Sequence, residues 1–337
     1  MTDIVQQNTT KTTDISTITP VWWSLDLREE FLGALLFSQF MGDPKSNMPV
    51  IMKSDLVKKP GDTVKYEKVL SLTGSGVSGE AVLQGNEEKL QFTEIEVTPE
   101  LYRHGVSFTE LADNRALFEL ADVAKKKLVE WASKEVDDSF YTVAAGATQE
   151  ILAGGVDEVD DLDSADILTA NLLSKAAATI RANNIPEVSG KGLVAIMHTY
   201  HAYQLTQDTN GWVLGKKDAD IRGVTNPLFQ HYVGANFIGL WDGVWCFETT
   251  RVPRTAVTEG TGPTGPSGYA APVLVMGADA FAFALGNFYK GKLPIKMTAQ
   301  NTDYEFNKGF AVNLCYQTKI LEDDAIVNIW TSCNAPS

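Results

Sequence analysis

The chain has 337 residues, 44% of them hydrophobic, which is enough to bury a sizeable core and favours about two domains. Its 28 basic and 43 acidic residues give a net charge of −15, which disfavours a primary role in nucleic-acid binding, because affinity for phosphates comes chiefly from clustered Lys and Arg. The cysteines Cys246, Cys315 and Cys333 share no metal-ligand spacing and are expected to be free thiols in a reducing cytoplasm.

The first 20 residues form a Thr-rich polar tail that ends at Pro20 and has little apolar surface to bury. We interpret it as an arm. Trp22 and Trp23 follow as large apolar anchors, either in the core or at a contact with another subunit. From Ser24 the pattern then predicts a helix that ends near Gly42.

The two strands of a long β-hairpin are predicted at residues 63–69 and 90–97, where β-branched or aromatic residues alternate with others. The segment between them has loop composition and several glycines. A two-stranded hairpin is marginally stable alone, so one this long needs hydrophobic cover elsewhere. We therefore predict an arm that lies on a neighbouring subunit. The expected contact residues of the hairpin are Leu72, Val77, Val82, Leu83 and Phe92, with Trp22 and Trp23 as contacts of the N-terminal arm.

A single long helix is predicted from Glu110 to Tyr141, with one apolar face and one charged face. Asp113 is expected to cap its start. At 1.5 Å per residue the helix would span roughly 45 Å and act as a strut across the subunit. The residues assigned to its apolar face are Leu117, Leu120, Ala124, Leu128, Trp131 and Val136.

The middle of the chain, residues 150–275, alternates helices and short strands and indicates a compact α/β or α+β module. A helix is predicted at 165–183 with Asp163 and Ser164 as its caps, followed by a strand at 193–197 and a helix in HTYHAYQLTQ. Two further strands are predicted at 306–320 and 325–331, with a turn at 322–324 between them. The longest apolar stretch, 272–285, is too short to span a membrane.

Three glycines, Gly74, Gly76 and Gly79, match the G-x-G-x-x-G pattern of dinucleotide-binding folds. That pattern requires a strand before it and a helix after it, so that a pyrophosphate can meet the helix N-terminus. Here the following residues reach Gly85 within a turn and a half and then enter a strand. We therefore favour a flexible hairpin tip over a nucleotide site.

Two histidines, His198 and His201, lie three residues apart on a predicted helix, as a pair of metal ligands would. A third ligand is missing nearby, so a packed or surface pair is favoured. The acidic run from Asp157 to Asp166 lacks the glycine and the terminal glutamate of a calcium loop and is interpreted as a solvated turn. No nucleophile elbow or P-loop is present. We predict no catalytic, cofactor-binding or metal-binding residue.

The segments resemble, in their order, the major capsid proteins of tailed bacteriophages with the fold named after phage Hong Kong 97. Four stretches carry the resemblance: GDTVKYEKVLSLTGSGVSGEAVLQGNEEKL, LYRHGVSFTE, GVTNPLFQHYVGANFIGLWDGVWCFETTRVP and MGADAFAFALG. It spans nearly the whole chain, and the order and lengths of the segments carry much of its weight. It implies an α+β capsid fold.

The resemblance also implies a division of the chain. The expected segments are an N-terminal arm (1–23), an N-terminal helix and the start of a peripheral domain (24–54), an extended hairpin loop (55–109), a spine helix (110–150), an axial domain (151–290) and C-terminal strands that return to the peripheral domain (291–337).

The implied function is a structural one, without enzyme activity or cofactor: a major capsid protein that assembles in the host cytoplasm into the icosahedral virion shell around double-stranded DNA. The implied partners are other copies in hexamers and pentamers, a portal protein and, in part of the family, decoration proteins, with the DNA contacted loosely and no membrane. We expect a separate scaffolding protein and no covalent cross-link between subunits.

Two alternatives remain at this point. An encapsulin-like bacterial compartment would have a similar architecture and enclose cargo enzymes instead of a genome. A nucleotide-binding enzyme that uses the loop from Gly74 to Gly79 is the more remote one.

Overall fold

A computed structural model describes residues 35–44, 46–53, 63–69, 72, 74, 76–79, 84, 87–117, 119–188, 192–208, 211–212, 236–257, 268–286, 295–302 and 306–335. The predicted N-terminal arm, with Trp22 and Trp23, lies outside these residues, and so does most of the first predicted helix. The described end of that helix, Leu36–Phe40, is a 3-10 turn and not an α-helix.

The described strands in chain order are β1 (Met41–Gly42), β2 (Val50–Lys53), β3 (Val64–Val69), β4 (Phe92–Val97), β5 (Glu100–Thr109), β6 (Glu150–Leu152), β7 (Leu193–His198), β8 (Phe237–Trp241), β9 (Val244–Thr249), β10 (Thr255–Val257), β11 (Gly268–Met276), β12 (Phe281–Leu285), β13 (Ile295–Thr302), β14 (Asn307–Ile320) and β15 (Ile326–Ser332). The described α-helices are α1 (Glu110–Arg115), α2 (Leu120–Ala144), α3 (Ala170–Ala182) and α4 (Thr199–Gln207).

The first sheet has six strands in the order β1-β2-β12-β14-β13, with β5 also paired to β14. Tyr316 of β14 is opposite both Leu285 of β12 and Glu100 of β5, so β12 and β5 lie on opposite edges of β14. The long strand β14 is thus the centre of this sheet. Strands β3 and β4 form a separate two-stranded antiparallel hairpin.

The second sheet has seven strands in the order β6-β15-β11-β7-β9-β8, with β10 paired to β11. Its pairs β7–β9 and β6–β15 are parallel, whereas β11 runs antiparallel to both β7 and β15. The predicted C-terminal strands therefore separate in space, because β14 belongs to the first sheet and β15 to the second.

A large core joins α2 to both sheets. Phe140 of α2 packs against Phe281 and Phe283 of the first sheet, and the same cluster contains Ile196 and Leu274 of the second sheet. A second core lies on the other face of the seven-stranded sheet, where α3 packs. It includes Leu173, Ala177 and Ile180 from α3 and Leu193, Ala195 and Val275 from the strands.

The predicted single helix from Glu110 to Tyr141 is wrong in one respect, because the structure contains two helices. α1 ends at Arg115, Ala116 has an extended backbone, and α2 begins at Leu120 and runs for 25 residues, or about 37 Å. The prediction that Asp113 caps the first helix is wrong. Its Oδ1 accepts a hydrogen bond from the backbone N–H of Leu120, at the start of α2, at 3.4 Å. Thr109 caps α1 by accepting from Ala112 N.

Helix α3 begins at Ala170 and not at Ala165, so the predicted caps Asp163 and Ser164 are wrong. The backbone N–H of Ala170 donates to Oδ2 of Asp208, 38 residues away in sequence, at 2.9 Å. Asp163 instead forms a local turn, in which its own N–H donates to Asp166 at 2.8 Å. A distant carboxylate has thus replaced the local cap at the helix start.

The other predicted elements are confirmed to within a few residues. They are the two hairpin strands (β3 and β4), the strand β7, the helix α4 and the two C-terminal strands β14 and β15. All three cysteines are buried free thiols. Among the described helices, none combines the length and the apolar character that crossing a membrane would require.

Candidate inter-subunit surface

The base of the hairpin packs on the first sheet through alternate residues of its two strands. Val64 is opposite Val97, and Tyr66 is opposite Ile95, so these four side chains share one face. Val64, Tyr66 and Val97 are buried, and Ile95 packs against them. The base of the hairpin therefore has a hydrophobic face of its own, which the subunit covers.

The hairpin and the long helix occupy opposite faces of the first sheet. Phe281 and Phe283 of β12 contact Phe140 of α2, whereas the alternate residues Ala282 and Ala284 pack against the hairpin. The sequence prediction placed the whole cover of the hairpin on a neighbour. For the base this is wrong, because β12 lies close enough for small alanines to seat the hairpin.

Polar contacts fix the base as well. The Tyr66 hydroxyl donates to the carbonyl of Phe283 at 2.8 Å, and burial raises the pKa of Tyr66 to about 12, so it stays a neutral donor. Lys53 lies over the Tyr66 ring, 4.7 Å from its centroid, and donates to the carbonyl of Lys65. Lys68 pairs with Glu322, which follows β14. These bonds tie both hairpin and sheet into one unit.

The opposite, outer face of the hairpin changes character along its length. Near the base it is charged, because Lys65 pairs with Glu94 at 2.8 Å and with Glu96 at 3.2 Å. At the far end of the strands Val69 is directly opposite Phe92, and these side chains are 55% and 66% exposed. An apolar cross-strand pair that stays more than half exposed leaves area free for a contact with another subunit.

The apolar surface continues past the strands. Leu72, Val77 and Leu90 are exposed, Leu72 and Leu90 at 61% each. We call the five exposed residues Val69, Leu72, Val77, Leu90 and Phe92 the hairpin patch. Large exposed apolar side chains concentrated in one segment commonly mark protein–protein contacts.

The hairpin patch contains three of the predicted contact residues, Leu72, Val77 and Phe92. That they touch a neighbour stays a prediction. Val82 and Leu83, like Trp22 and Trp23, lie outside the described residues. Sequence reasoning missed Val69 and Leu90. The alternation of the predicted strand 90–97 could have found both, because Leu90 is two residues before Phe92 in that strand and Val69 is at the end of its partner.

The glycine loop shows no nucleotide-binding geometry in its described part. Gly76 and Gly79 have positive φ angles of 66° and 67°, as glycines in tight turns do, and neither begins a described helix. The N–H of Gly74 donates to the Glu88 carboxylate across the loop at 2.7 Å. This hydrogen bond uses a donor that a phosphate would otherwise take.

The two histidines are structural side chains. His198 is the N-cap of α4, where its Nδ1 accepts from the N–H of Tyr200 at 3.1 Å. His201 is fully buried and contacts Thr331 Oγ1 through Nε2 at 3.0 Å, and burial, with a smaller effect of His198, lowers its pKa to about 3. Within the described residues no group of three or more potential metal-binding side chains exists.

A second exposed apolar area lies where α1 begins and ends. Leu111 is half exposed, Leu117 in the break before α2 is fully exposed, and Phe306 before β14 is 44% exposed. The N–H of Glu110 donates to the carbonyl of Phe306 at 2.8 Å, which brings α1 beside this turn. Leu117 was assigned to the buried face of the predicted helix; that assignment is wrong because the helix breaks there.

Comparison with known proteins bears on this surface directly. Residues 9–167 match the family model of phage capsid proteins. This match covers just under half of the chain, and over that part the chain is similar to phage capsid proteins. The match includes the hairpin, α1 and α2, and with them the hairpin patch and the exposed Leu111 and Leu117. No curated protein matches the chain.

Solved capsid structures share the fold over almost the full chain. A capsid protein of Ralstonia phage GP4 is 21% identical, with a TM-score of 0.71 over 90% of this chain and 92% of that one. Capsid proteins of cyanophage Pam1 and of Helicobacter pylori bacteriophage KHP30 are 16% and 14% identical, with TM-scores of 0.68 and 0.66; each alignment covers 89% of this chain and 92% of the other. The predicted Hong Kong 97-like capsid fold is confirmed.

Proposed function

We propose that this capsid protein builds the shell by seating the hairpin patch of each copy on an adjacent copy, in rings of six and five subunits. The main support for this proposal is that the hairpin has a buried base and an exposed outer part. Its base is buried on its own subunit through Val64, Tyr66 and Val97, whereas Val69 and Phe92 beyond that base are exposed. An anchored base with an apolar outer part is suited to reach across a subunit boundary.

The contact of one hairpin is expected to be modest. Full burial of a large apolar side chain contributes roughly 1.5–3 kcal/mol, and the ordering of the loop offsets part of that gain. A closed shell repeats the contact at every subunit, so linked weak contacts combine into a stable lattice. Weak individual contacts also allow misplaced subunits to dissociate during assembly.

The proposed partners beyond the chain itself are a separate scaffolding protein, a portal protein and the packaged DNA, with decoration proteins as further surface ligands. The net charge of −15 supports loose contact with DNA, because a shell with this charge repels phosphates on average. A role in the shell requires no catalytic chemistry, and the match to the phage capsid model favours a structural role over an enzymatic one.

The encapsulin-like compartment has less support than the phage shell, since the matching family model is that of phage capsid proteins. The nucleotide-binding alternative loses its main support with the geometry of Gly76 and Gly79, which lie in turns.

The test is electron microscopy of the material that sediments from cells producing this chain together with the genes beside its own. We expect uniform polyhedral shells, and nuclease-protected DNA inside them when the packaging genes are included. Only small folded species, in the presence of all neighbouring genes, would contradict the proposed function. Shells that contain one abundant protein cargo and never DNA would favour the compartment instead.

A further inference from the structure

Arg254 is held between two aromatic rings at the surface of the second sheet. Its guanidinium carbon lies 5.1 Å from the ring centroid of Tyr200, on α4, and 4.9 Å from that of Tyr269, on β11. Arg254 is exposed, as is Tyr269 at 44%. Within the described part of the chain, Arg254 makes no ion pair or side-chain hydrogen bond. The stacking therefore orients a cation that has no anionic partner.

A stacked guanidinium still has its in-plane N–H groups to donate. Those groups match the two oxygens of a carboxylate, so an arginine fixed by aromatic neighbours is prepared for a bidentate pair. Arginine and tyrosine are also the side chains most enriched where interfaces gain their affinity. Burial and, to a smaller extent, the positive charge of the nearby Arg254 lower the pKa of His198.

The ribbon formed by β10 and β11 separates Arg254 from a cluster of carboxylates. Ala256 is opposite Tyr269, so the Arg254 stack lies on their face of the ribbon. The alternate residues Val257 and Ala270 point to the other face, where they pack with Leu162 of the acidic turn. The two features thus occupy opposite faces of one two-stranded ribbon.

The acidic turn, residues 157–163, presents several carboxylates to solvent. Its exposed members without an ion pair or side-chain hydrogen bond to any described residue are Asp157, Glu158, Asp160 and Asp161. The turn is held to its own subunit by apolar contacts of Val159 and Leu162, which leaves the carboxylates directed away from that contact. They are an accessible counterpart for a stacked arginine.

We propose that Arg254 of one copy binds a carboxylate of the acidic turn of the next copy, within a ring of the shell. This inference rests on the proposed function and identifies one contact of the ring. Complementary groups on opposite faces of one element make a head-to-tail contact, the type that closes rings, and not a two-fold one. A second copy fits the stack better than nucleic acid does, because the neighbouring acidic turn and the net charge of −15 repel phosphates.

Charge reversal and its compensation test the pair. Two variants, Arg254→Glu alone and the double change Asp160→Arg with Asp161→Arg, should each lower the yield of sedimentable shells about tenfold or more. In each of them, a pair that contributes a factor of about ten to the affinity becomes repulsive. The combination of all three changes should restore shells. Lys175→Glu, on the exposed side of α3, makes the same change of net charge as Arg254→Glu and should leave the yield at the wild-type level.

Any other result of these assembly experiments contradicts the proposed ion pair. Single variants that assemble like the wild type would show that the contact is not made, and a combination that fails like its parents would show that charge pairing is not its basis. Thermal unfolding of each subunit checks folding; should Arg254→Glu unfold, the acidic-turn variant decides alone, because those side chains support no other described group. Absence of shells from the wild type, by contrast, contradicts the proposed function itself.

Discussion

Val69 and Phe92 are direct cross-strand partners on the outer face of the hairpin, and both are more than half exposed. Four register steps closer to the base, Lys65 and Glu96 occupy the same face as a charged pair. The outer face thus changes from polar to apolar where the hairpin leaves the first sheet. That change locates the proposed contact with the neighbouring copy in the outer half of the hairpin.

Phe92→Asp should block shell assembly and leave the subunit folded. A carboxylate placed in an apolar contact must lose water without gaining a partner, which is costly, whereas on the free subunit the position is in water. The measurement is sedimentation of assembled material together with thermal unfolding of the subunit. Gln91→Asp is the matched control, because residue 91 is exposed on the neighbouring position of the same chain segment and should tolerate the charge. If both variants assembled equally well, Phe92 would not be part of the contact between subunits.

Tyr66→Phe should loosen the base of the hairpin. The change removes the hydroxyl that donates to the buried carbonyl of Phe283, a loss of about 1 kcal/mol. Amide hydrogen exchange in residues 64–69 should become faster, while exchange in α2 stays the same. Tyr203→Phe, at an exposed tyrosine of α4, is the control. Unchanged exchange in β3 would show that apolar packing alone holds the hairpin.

Gly192→Ala should destabilise the subunit far more than Gly155→Ala. Both glycines have positive φ angles, 69° and 75°, so both changes strain the backbone, by about 1 kcal/mol. A Cβ at position 192 would also lie 2.2 Å from the carbonyl oxygen of Gly243, whereas one at 155 meets open space. The midpoints of thermal unfolding compare the two variants. Equal midpoints would contradict the close approach of the two turns beside β7 and β9.

Asp137→Asn should flatten the dependence of stability on pH. Burial raises the pKa of Asp137 to about 6, although its pairing with Arg251 opposes the shift. A pKa above its unfolded value means that the folded state binds the proton more tightly. The stabilisation that comes from protonated Asp137 is therefore fully present below about pH 4. It is lost as pH rises through about 6, and the loss is on the order of 2–3 kcal/mol.

The difference in unfolding free energy between wild type and the Asn variant, measured by urea titration from about pH 4 to pH 7, isolates this effect. The wild type should lose stability relative to the variant across that interval. A constant difference would mean that Asp137 has an ordinary pKa despite its burial between α2 and the backbone of Leu36.

Local patterns predicted much of the fold. Alternation identified β3, β4, β14 and β15, and helical periodicity identified α2 and α4, because the periodic side chains of these elements meet the core on one face. Strand β5 was not predicted as an element. Leu101 is exposed although it is apolar, and no residue of β5 is fully buried, so the contrast between the two faces of the strand is weak.

The misplaced boundaries have non-local causes. The start of α3 depends on Asp208, and the start of α2 depends on Asp113, which also pairs with Lys308 of β14. Neither partner can be inferred from the residues next to the helix. The hairpin patch was partly predicted because the exposed apolar residues are visible in the sequence. The anchoring of the base by Ala282 and Ala284 was not, because it requires the position of β12.

The central claim is that the outer half of the hairpin contacts another copy. A photoreactive amino acid placed at position 92 and activated in assembled shells tests it most directly, with position 91 as the comparison. We expect covalent links between different chains from position 92, mapped by mass spectrometry to a neighbouring subunit, and far fewer from position 91. Links confined to the same chain, in shells of normal size, would contradict it.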